Sequence, residues 1–320
     1  MVHSNVSENH ELSTHQPIIG ILFALGAVIL WGSNAVIARH LALEGVTMAT
    51  VALLRVAIGG GILGLWLAIT APTRLRNGFI LLRDRWVWLA IICYGGNMLV
   101  FHWALARTSA SAVMMLENIA PLVALFGGVW LFRERISWRA LASLGLALGG
   151  VALVCLADPG VSALAHAGAG WGNALALLAG LTWGGYTLAC RGQGRRDGGQ
   201  QDGLTAMVIM LLGSAILLAP SVMGNVHWPH SPAAWGWVMA LGLLHTALAT
   251  VLWRMALVHI TAYSASLLFL LTIILTMGNA VLFLHERITP LMLLGAAGII
   301  TALLCMARRP GVDSARLTRQ

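Results

Sequence analysis

Apolar residues in this chain come in ten runs of about 20, separated by short polar or small-residue segments. A helix rises ~1.5 Å per residue, so a run of that length covers the ~30 Å hydrocarbon core of a bilayer. The runs are continuous rather than alternating, which selects helices over the strands of a membrane barrel. The pattern predicts helices over 18–39, 47–70, 86–106, 108–131, 138–157, 171–191, 203–223, 234–257, 261–284 and 289–307. The expected fold class is an all-α integral membrane protein with ten transmembrane helices. Residues 1–17 form a polar tail without a basic start, so the first run is expected to act as an uncleaved anchor. The histidines of that tail are irregularly spaced and read as a solvated segment rather than as metal ligands.

One polar segment occurs twice. Arg133-Glu134-Arg135-Ile136-Ser137 returns 152 residues later as His285-Glu286-Arg287-Ile288-Thr289. The same offset lays Trp31-Gly32 on Trp183-Gly184, Gly20 on Gly172 and Arg39 on Arg191. Matched leucines and alanines would mean little in such a composition, whereas matched Trp, Gly, Glu and Arg mark a duplication. The chain therefore divides into the tail, a first five-helix repeat (18–157), a small-residue linker (158–170), a second five-helix repeat (171–307) and a basic tail (308–320). A unit with an odd number of crossings inverts when it is repeated. Two inverted repeats are a recurrent architecture of secondary transporters, with the substrate site near the midplane between the halves. Glu134 and Glu286 then fall on opposite faces, about a bilayer apart. They serve helix turns rather than acting together, with Ser137 and Thr289 starting the next helices.

Composition agrees with the pattern. Hydrophobic residues make up 59% of the chain and charged ones 9%, too little polar surface for a soluble protein of this size. The net charge of +8 is carried by arginine alone. Counted with helix-end residues such as Arg191 and Arg254, fifteen arginines fall on the side of the N-terminus and three on the other, with Arg55 inside a helix. The positive-inside rule then puts both termini in the cytoplasm of a multi-pass inner or plasma membrane protein, and makes the linker extracytoplasmic. It also removes the nucleic-acid reading of the basic charge. Trp228, Trp235 and Trp237 read as an interfacial belt. The four cysteines have no ligand or disulfide spacing, and no cofactor or metal is expected. There is no Gly-rich Lys-Ser/Thr loop for ATP, no His-Glu-x-x-His and no Gly-x-Ser-x-Gly, so neither an ATP-driven pump nor an enzyme is expected.

At the level of motifs the chain resembles the ten-helix EamA-type permeases of the drug/metabolite transporter superfamily, over about residues 18–307. The resemblance rests on Trp31-Gly32-Ser33-Asn34, Arg55, Ala104-Leu105 followed by the turn at Thr108-Ser109-Ala110, Pro121, and the Glu134-Arg135-Ile136-Ser137 turn, in that order. The second half departs from the first. Ile273 aligns with Pro121 and Leu270 with Asn118, so a proline kink shared by the halves is not expected. The resemblance implies transport of small metabolites, amino acids or their derivatives first, often as efflux, coupled to an ion gradient or to exchange. The partners implied are a small-molecule substrate, the lipid bilayer, and protons or a counter-substrate, with a homodimer left open. A passive facilitator would carry the same pattern.

Polar side chains at depth are the candidate site, because each costs a few kcal/mol at bilayer centre unless paired or wetted. Arg55 and Glu117 each lie roughly 12–14 Å from the same face at 1.5 Å per residue. They read either as an ion pair that locks the second helix to the fourth, or as cavity groups for a substrate carboxylate and for an amine or proton. Trp31 and Asn34 lie about 12 and 8 Å from the same face, and Asn97 about 14 Å. The asparagines read equally as helix–helix hydrogen-bonding groups, and Trp31 with Trp183 as a paired aromatic lining or as packing. Asn118 points about 100° away from Glu117. In the second half Tyr186, His245, Trp253 and Thr272 are the candidates, His245 as a proton relay or as a hydrogen-bonded structural residue. His102 reads as interfacial.

Overall fold

The computed structural model describes residues 3–108, 110–134, 136–156, 169–196, 203–224, 226–284 and 289–307. Within them every regular element is helical, and taken in chain order the helices can be grouped as ten rods, several of them in two pieces. These are α1 (His3–Gly32, continued by Asn34–Leu43), α2 (Met48–Thr70), α3 (Arg85–Leu105), α4 (Ala110–Glu117, continued by Ala120–Phe132) and α5 (Trp138–Leu156). The second half has α6 (Ala169–Arg196), α7 (Gly203–Val222), α8 (Pro232–His259), α9 (Ala262–Phe269, continued by Leu271–Leu284) and α10 (Pro290–Ala307). Among the described residues, five helices are long and apolar enough to cross a membrane: α2, α3, α7, α8 and Ala262–Asn279 of α9. Pro17–Gly32, Ala120–Phe132, Trp138–Val154 and Pro290–Cys305 are shorter apolar helices. Most of the expected linker, the basic tail, Arg135 and the His285–Ile288 turn lie outside the described residues.

Helix starts follow local chemistry. Thr47, Asp84, Ser231 and Thr261 accept hydrogen bonds from the free backbone N–H groups of α2, α3, α8 and α9. Ser137 and Thr289 do the same for α5 and α10, through Ala140 and Met292. Arg133 ends α4 in the left-handed region at φ 54°. The sequence pattern misses some detail. Part of the polar tail is helical, α6 runs on to Arg196, and the segment after α2 folds as a short helix (Pro72–Asn77) and a 3-10 turn (Gly78–Arg83).

The helices cross alternately, as contacts at each end of the bundle show. On the N-terminal side Gly20 meets His259 and Ile260, Trp86 packs on Phe132, Arg195 donates to the Phe132 carbonyl, and Tyr263 donates to that of Ala140. On the opposite side Ser231 donates to Glu44, His40 packs on Trp237, and Thr108 donates to Asn173. The repeat-equivalent glycines Gly20 and Gly172 therefore sit at opposite ends, and the two repeats are inverted.

The 152-residue offset holds in three dimensions. Gly20 lies on His259 and Ile260, and Gly172 lies on Arg107 and Thr108, the residues 152 positions earlier. Gly32 faces Leu275 as Gly184 faces Val123. Helix neighbours obey the same exchange: α1 packs on α8 as α6 packs on α3, α4 on α6 as α9 on α1, and α2 on α8 as α7 on α3. The pairs α2–α7, α4–α9 and α5–α10 map onto themselves. An approximate two-fold axis therefore passes between the halves.

Close approach explains the duplicated Trp-Gly pair. A Cβ on Gly184 would lie 2.5 Å from the Val123 Cβ and 3.0 Å from the Ala120 carbonyl oxygen, whereas one on Gly145 meets nothing within 4 Å. Gly184→Ala is expected to destabilise the α4–α6 crossing by about 1–3 kcal/mol, the usual cost of overpacking. Gly145→Ala is expected to be neutral. Thermal unfolding of both variants in one detergent checks the pair.

Candidate functional site

Four of the rods depart from regular α-helix, and all four departures face the same region. α1 breaks at Ser33, α4 at Asn118–Ile119 and α9 at Leu270, while α8 carries a π-helical stretch over Leu241–Leu248. The breaks in α4 and α9 are repeat-equivalent to within a residue, although only the first has a proline behind it. Both use three-residue hydrogen bonds, Ile119 to Leu116 and Leu270 to Leu267. The halves thus share a kink that Pro121 alone does not account for. Irregular backbone at membrane depth is tolerated where it is buried in protein or lines a cavity.

That cavity is narrow, about 60 Å³, against a share of ~30 Å³ per water in the liquid, so it holds about two waters. α1 contributes Trp31 and Asn34, α2 Arg55, and α3 Tyr94, Asn97, Met98, Phe101 and His102. α4 adds Met114 and Glu117, α6 Trp183, and α9 Phe269 and Thr272. Phe101 and Met114 each stand four residues from a helix end on the face away from the N-terminus, so the cavity occupies that half of the bundle. Towards the N-terminal side it meets an aromatic cluster. Trp31 and Trp183 stand edge to face with centroids 5.0 Å apart, and Trp253 and Phe269 pack against both.

Arg55 is held in place by neutral acceptors. Its Nε donates to Thr246 Oγ1 at 3.0 Å, Nη1 to Asn34 Oδ1 at 2.8 Å and Nη2 to the His245 carbonyl at 3.3 Å. Three of five guanidinium N–H groups are used. Glu117, buried at 6% exposure, accepts from Asn97 Nδ2 at 3.1 Å, and Asn97 also donates to the Ala179 carbonyl at 2.9 Å. Among the described residues Arg55 and Glu117 form no ion pair with each other or with any other side chain. The reading of these two as a lock between α2 and α4 is thus not the arrangement adopted. Arg55 and Glu117 therefore face one cavity, Arg55 held by an amide, a hydroxyl and a carbonyl and Glu117 by an amide, rather than by each other.

The remaining candidates divide. Trp31, Asn34, Asn97, Trp183 and Thr272 line the cavity with the two charges. Tyr186, His245 and Trp253 do not. His245 acts through its backbone: its carbonyl in the π-helical stretch accepts from Trp31 Nε1 at 2.8 Å as well as from Arg55, and its ring meets Ser33 Oγ at 2.8 Å. Tyr186 packs on Tyr94 and Trp183 behind the lining. His102, read as interfacial, is buried at 1% exposure and turned into the cavity. Arg191 and Arg254, counted with the loop arginines, are buried in the bundle interior at 6% and 8% exposure. Arg191 lies 3.7 Å from Glu134 and donates to the Leu257 carbonyl, and Arg254 donates to Gln193. Tyr94, Met98, Phe101, Met114 and Phe269 were missed. Tyr94, Met98 and Phe101 follow the helical spacing of Asn97's face, and Phe269 is the repeat equivalent of Glu117, so both signals were present.

Ten helical rods in two inverted repeats, closing on a polar cavity beside broken helices, are the build of a membrane transport protein. The chain belongs to the EamA-like transporter family, whose model matches it twice, over residues 18–156 and 170–308. It is similar to the "Uncharacterized transporter YwfM" of Bacillus subtilis, 28% identical over 297 residues that cover 90% of this chain and 94% of that protein. It is also similar to a "Probable terminal-alkyne amino-acid exporter" of Streptantibioticus cattleyicolor, 25% identical over 289 residues, 88% of this chain and 91% of that one. A crystal structure shares the fold with TM-score 0.74 at 19% identity, over 93% of this chain and 98% of the other.

Proposed function

We propose that the protein is a secondary transporter that exports small zwitterionic metabolites, amino acids or their derivatives, by alternating access across the inner or plasma membrane, with both termini cytoplasmic. The observation that carries the reading is that Arg55 and Glu117 face one cavity without pairing. A carboxylate would take the free N–H groups of Arg55 in charge-assisted hydrogen bonds. An ammonium would take Glu117, and Trp31, Trp183 and Phe269 would bound the substrate's side chain. An empty site holding two unpaired charges needs water, and a zwitterion replaces that water with matched partners. The relative named a "Probable terminal-alkyne amino-acid exporter" supports the same substrate class. Coupling is by an ion gradient or by exchange, with no cofactor.

Proteoliposomes test this directly. Vesicles preloaded with a zwitterionic amino acid are expected to accumulate the same labelled compound by counterflow above its equilibrium level. The N-acetyl methyl ester, which carries neither charge, is expected not to compete. A label that equilibrates without ever rising above the outside concentration, under counterflow or under a proton gradient, would make the protein a passive facilitator instead.

A further inference from the structure

The cavity reaches towards one face only, and the inverted repeat says where its counterpart lies. Exchange of the halves carries Met114 to Ser266, Phe101 to Trp253, His102 to Arg254, Asn34 to Tyr186 and Trp31 to Trp183. In an inverted pair these equivalents lie at mirrored depth, on the N-terminal side, where the bundle is closed. That closed region is polar without being satisfied. Ser266 Oγ, Trp253 Nε1 and Trp183 Nε1 are buried without hydrogen-bond partners, and the Tyr186 hydroxyl is buried beside the Cys190 thiol. Trp253 and Tyr186 are wholly buried and Ser266 is 1% exposed. Gln193 Nε2, also unpartnered, lies beside Arg254, whose guanidinium rests against Gly203 and donates to Gln193 Oε1, and Thr205 Oγ1, two residues after Gly203, is unpartnered as well. Among the described residues Arg254 forms no ion pair. Buried polar atoms are ordinarily paired, each unpaired one costing about 1–3 kcal/mol. A group left unpaired in one state is explained if it is wetted in another.

We infer that Ser266, Trp253, Tyr186 and Arg254 line the substrate path on the N-terminal side, closed in this structure, with Arg254 the cation that receives the substrate's carboxylate there. This rests on the alternating-access reading above. Opening that side wets the unpartnered atoms, which offsets the loss of solvent from the cavity at Arg55 and Glu117. Arg254 takes the place that His102 holds on the other path, so the two mouths differ in charge. A full cation stands on the N-terminal side, where an anionic group must be drawn in against the membrane's low dielectric.

The test uses cysteine accessibility in a full-length chain whose four native cysteines are replaced and which is first shown to keep wild-type transport. Ser266→Cys is expected to react with a membrane-impermeant methanethiosulfonate from the N-terminal face, and Met114→Cys from the opposite face. Modification of either is expected to slow labelling at the other position, measured in the double variant, roughly tenfold as the population shifts. Arg254→Gln is expected to raise the half-saturating substrate concentration on the N-terminal face roughly tenfold, with the opposite face unchanged and Arg254→Lys intermediate. A Ser266→Cys variant that still transports but stays unreactive from both faces overturns the path. An Arg254→Gln effect equal on both faces overturns the role of Arg254 and makes it structural. If the two cysteines label from opposite faces but no zwitterion is moved by the wild type, the path stands and the substrate class fails.

Discussion

Arg55→Ala is expected to abolish transport while leaving membrane insertion and the gel-filtration profile unchanged. In the proposed binding mode Arg55 meets the substrate carboxylate as one half of a buried charge pair, and loss of one partner from such a pair costs about 3–5 kcal/mol. At ~1.4 kcal/mol per factor of ten, that is a loss of at least ~100-fold in initial rate at low substrate. The fold is expected to tolerate the change because Asn34 lines the cavity, and water can fill the space that the guanidinium leaves beside Asn34, Thr246 and the His245 carbonyl. Arg55→Lys is expected to fall between the two. A single ammonium cannot hold Asn34, Thr246 and the His245 carbonyl together and still present a fork to the ligand. Counterflow in proteoliposomes measures the effect. Transport at the wild-type rate in Arg55→Ala would make the residue a helix-packing group and would sink the binding role.

The second large effect is expected from Glu117→Gln, which removes charge while keeping shape. Asn97 Nδ2 can donate to the glutamine Oε1 as it does to the carboxylate, so packing against α3 and α6 is preserved. Zwitterion transport is expected to fall by roughly tenfold or more, the size of a lost charge-assisted hydrogen bond of about 1.5–3 kcal/mol. The same variant is expected to accept the deaminated acid, which lacks an ammonium, as well as or better than the zwitterion. Competition assays with the matched pair of compounds decide it. Equal loss for both compounds would mean that Glu117 serves the protein's own architecture rather than the amine.

Much of this architecture was legible in the chain because a duplication writes its own ruler. Trp31 with Trp183, Gly20 with Gly172 and the two Glu-Arg-Ile turns measure an offset that later predicts contacts such as Gly184 on Val123. Arg55 and Glu117 stood out because charge at membrane depth is costly wherever it has no purpose. The rest was hidden for physical reasons. The break in α9 at Leu270 has neither proline nor glycine to announce it, and the π-helical stretch at Leu241–Leu248 reads as an ordinary apolar run. His102 was misplaced because its depth was judged from the helix end, when the deciding matter was which face of α3 it occupies. Arg191 and Arg254 were taken with the loops because arginine near a helix end normally reaches for water, whereas here both turn inward to carbonyl and amide partners. The fate of Arg55 required partners from α1 and α8, and no spacing within α2 could have named them.

The two halves of this protein are alike in backbone and unlike in chemistry. Glu117 faces Phe269 across the exchange, Arg55 corresponds to Met207 and Asn97 to Ala249. Around the cavity the first copy carries the charged pair, where the second carries aromatic and aliphatic side chains, and Arg254 of the second copy stands where the first has His102. In a perfectly matched pair the two facing states would be equal in energy by symmetry, and the empty protein would rest in each equally. On the proposed cycle, wetting one side would solvate Arg55 and Glu117, while wetting the other would solvate Arg254 and several neutral donors. The resting bias would then be written into side chains rather than into the fold. It sets which half of the cycle limits turnover, but not the direction of net flow, which belongs to the gradients across the membrane.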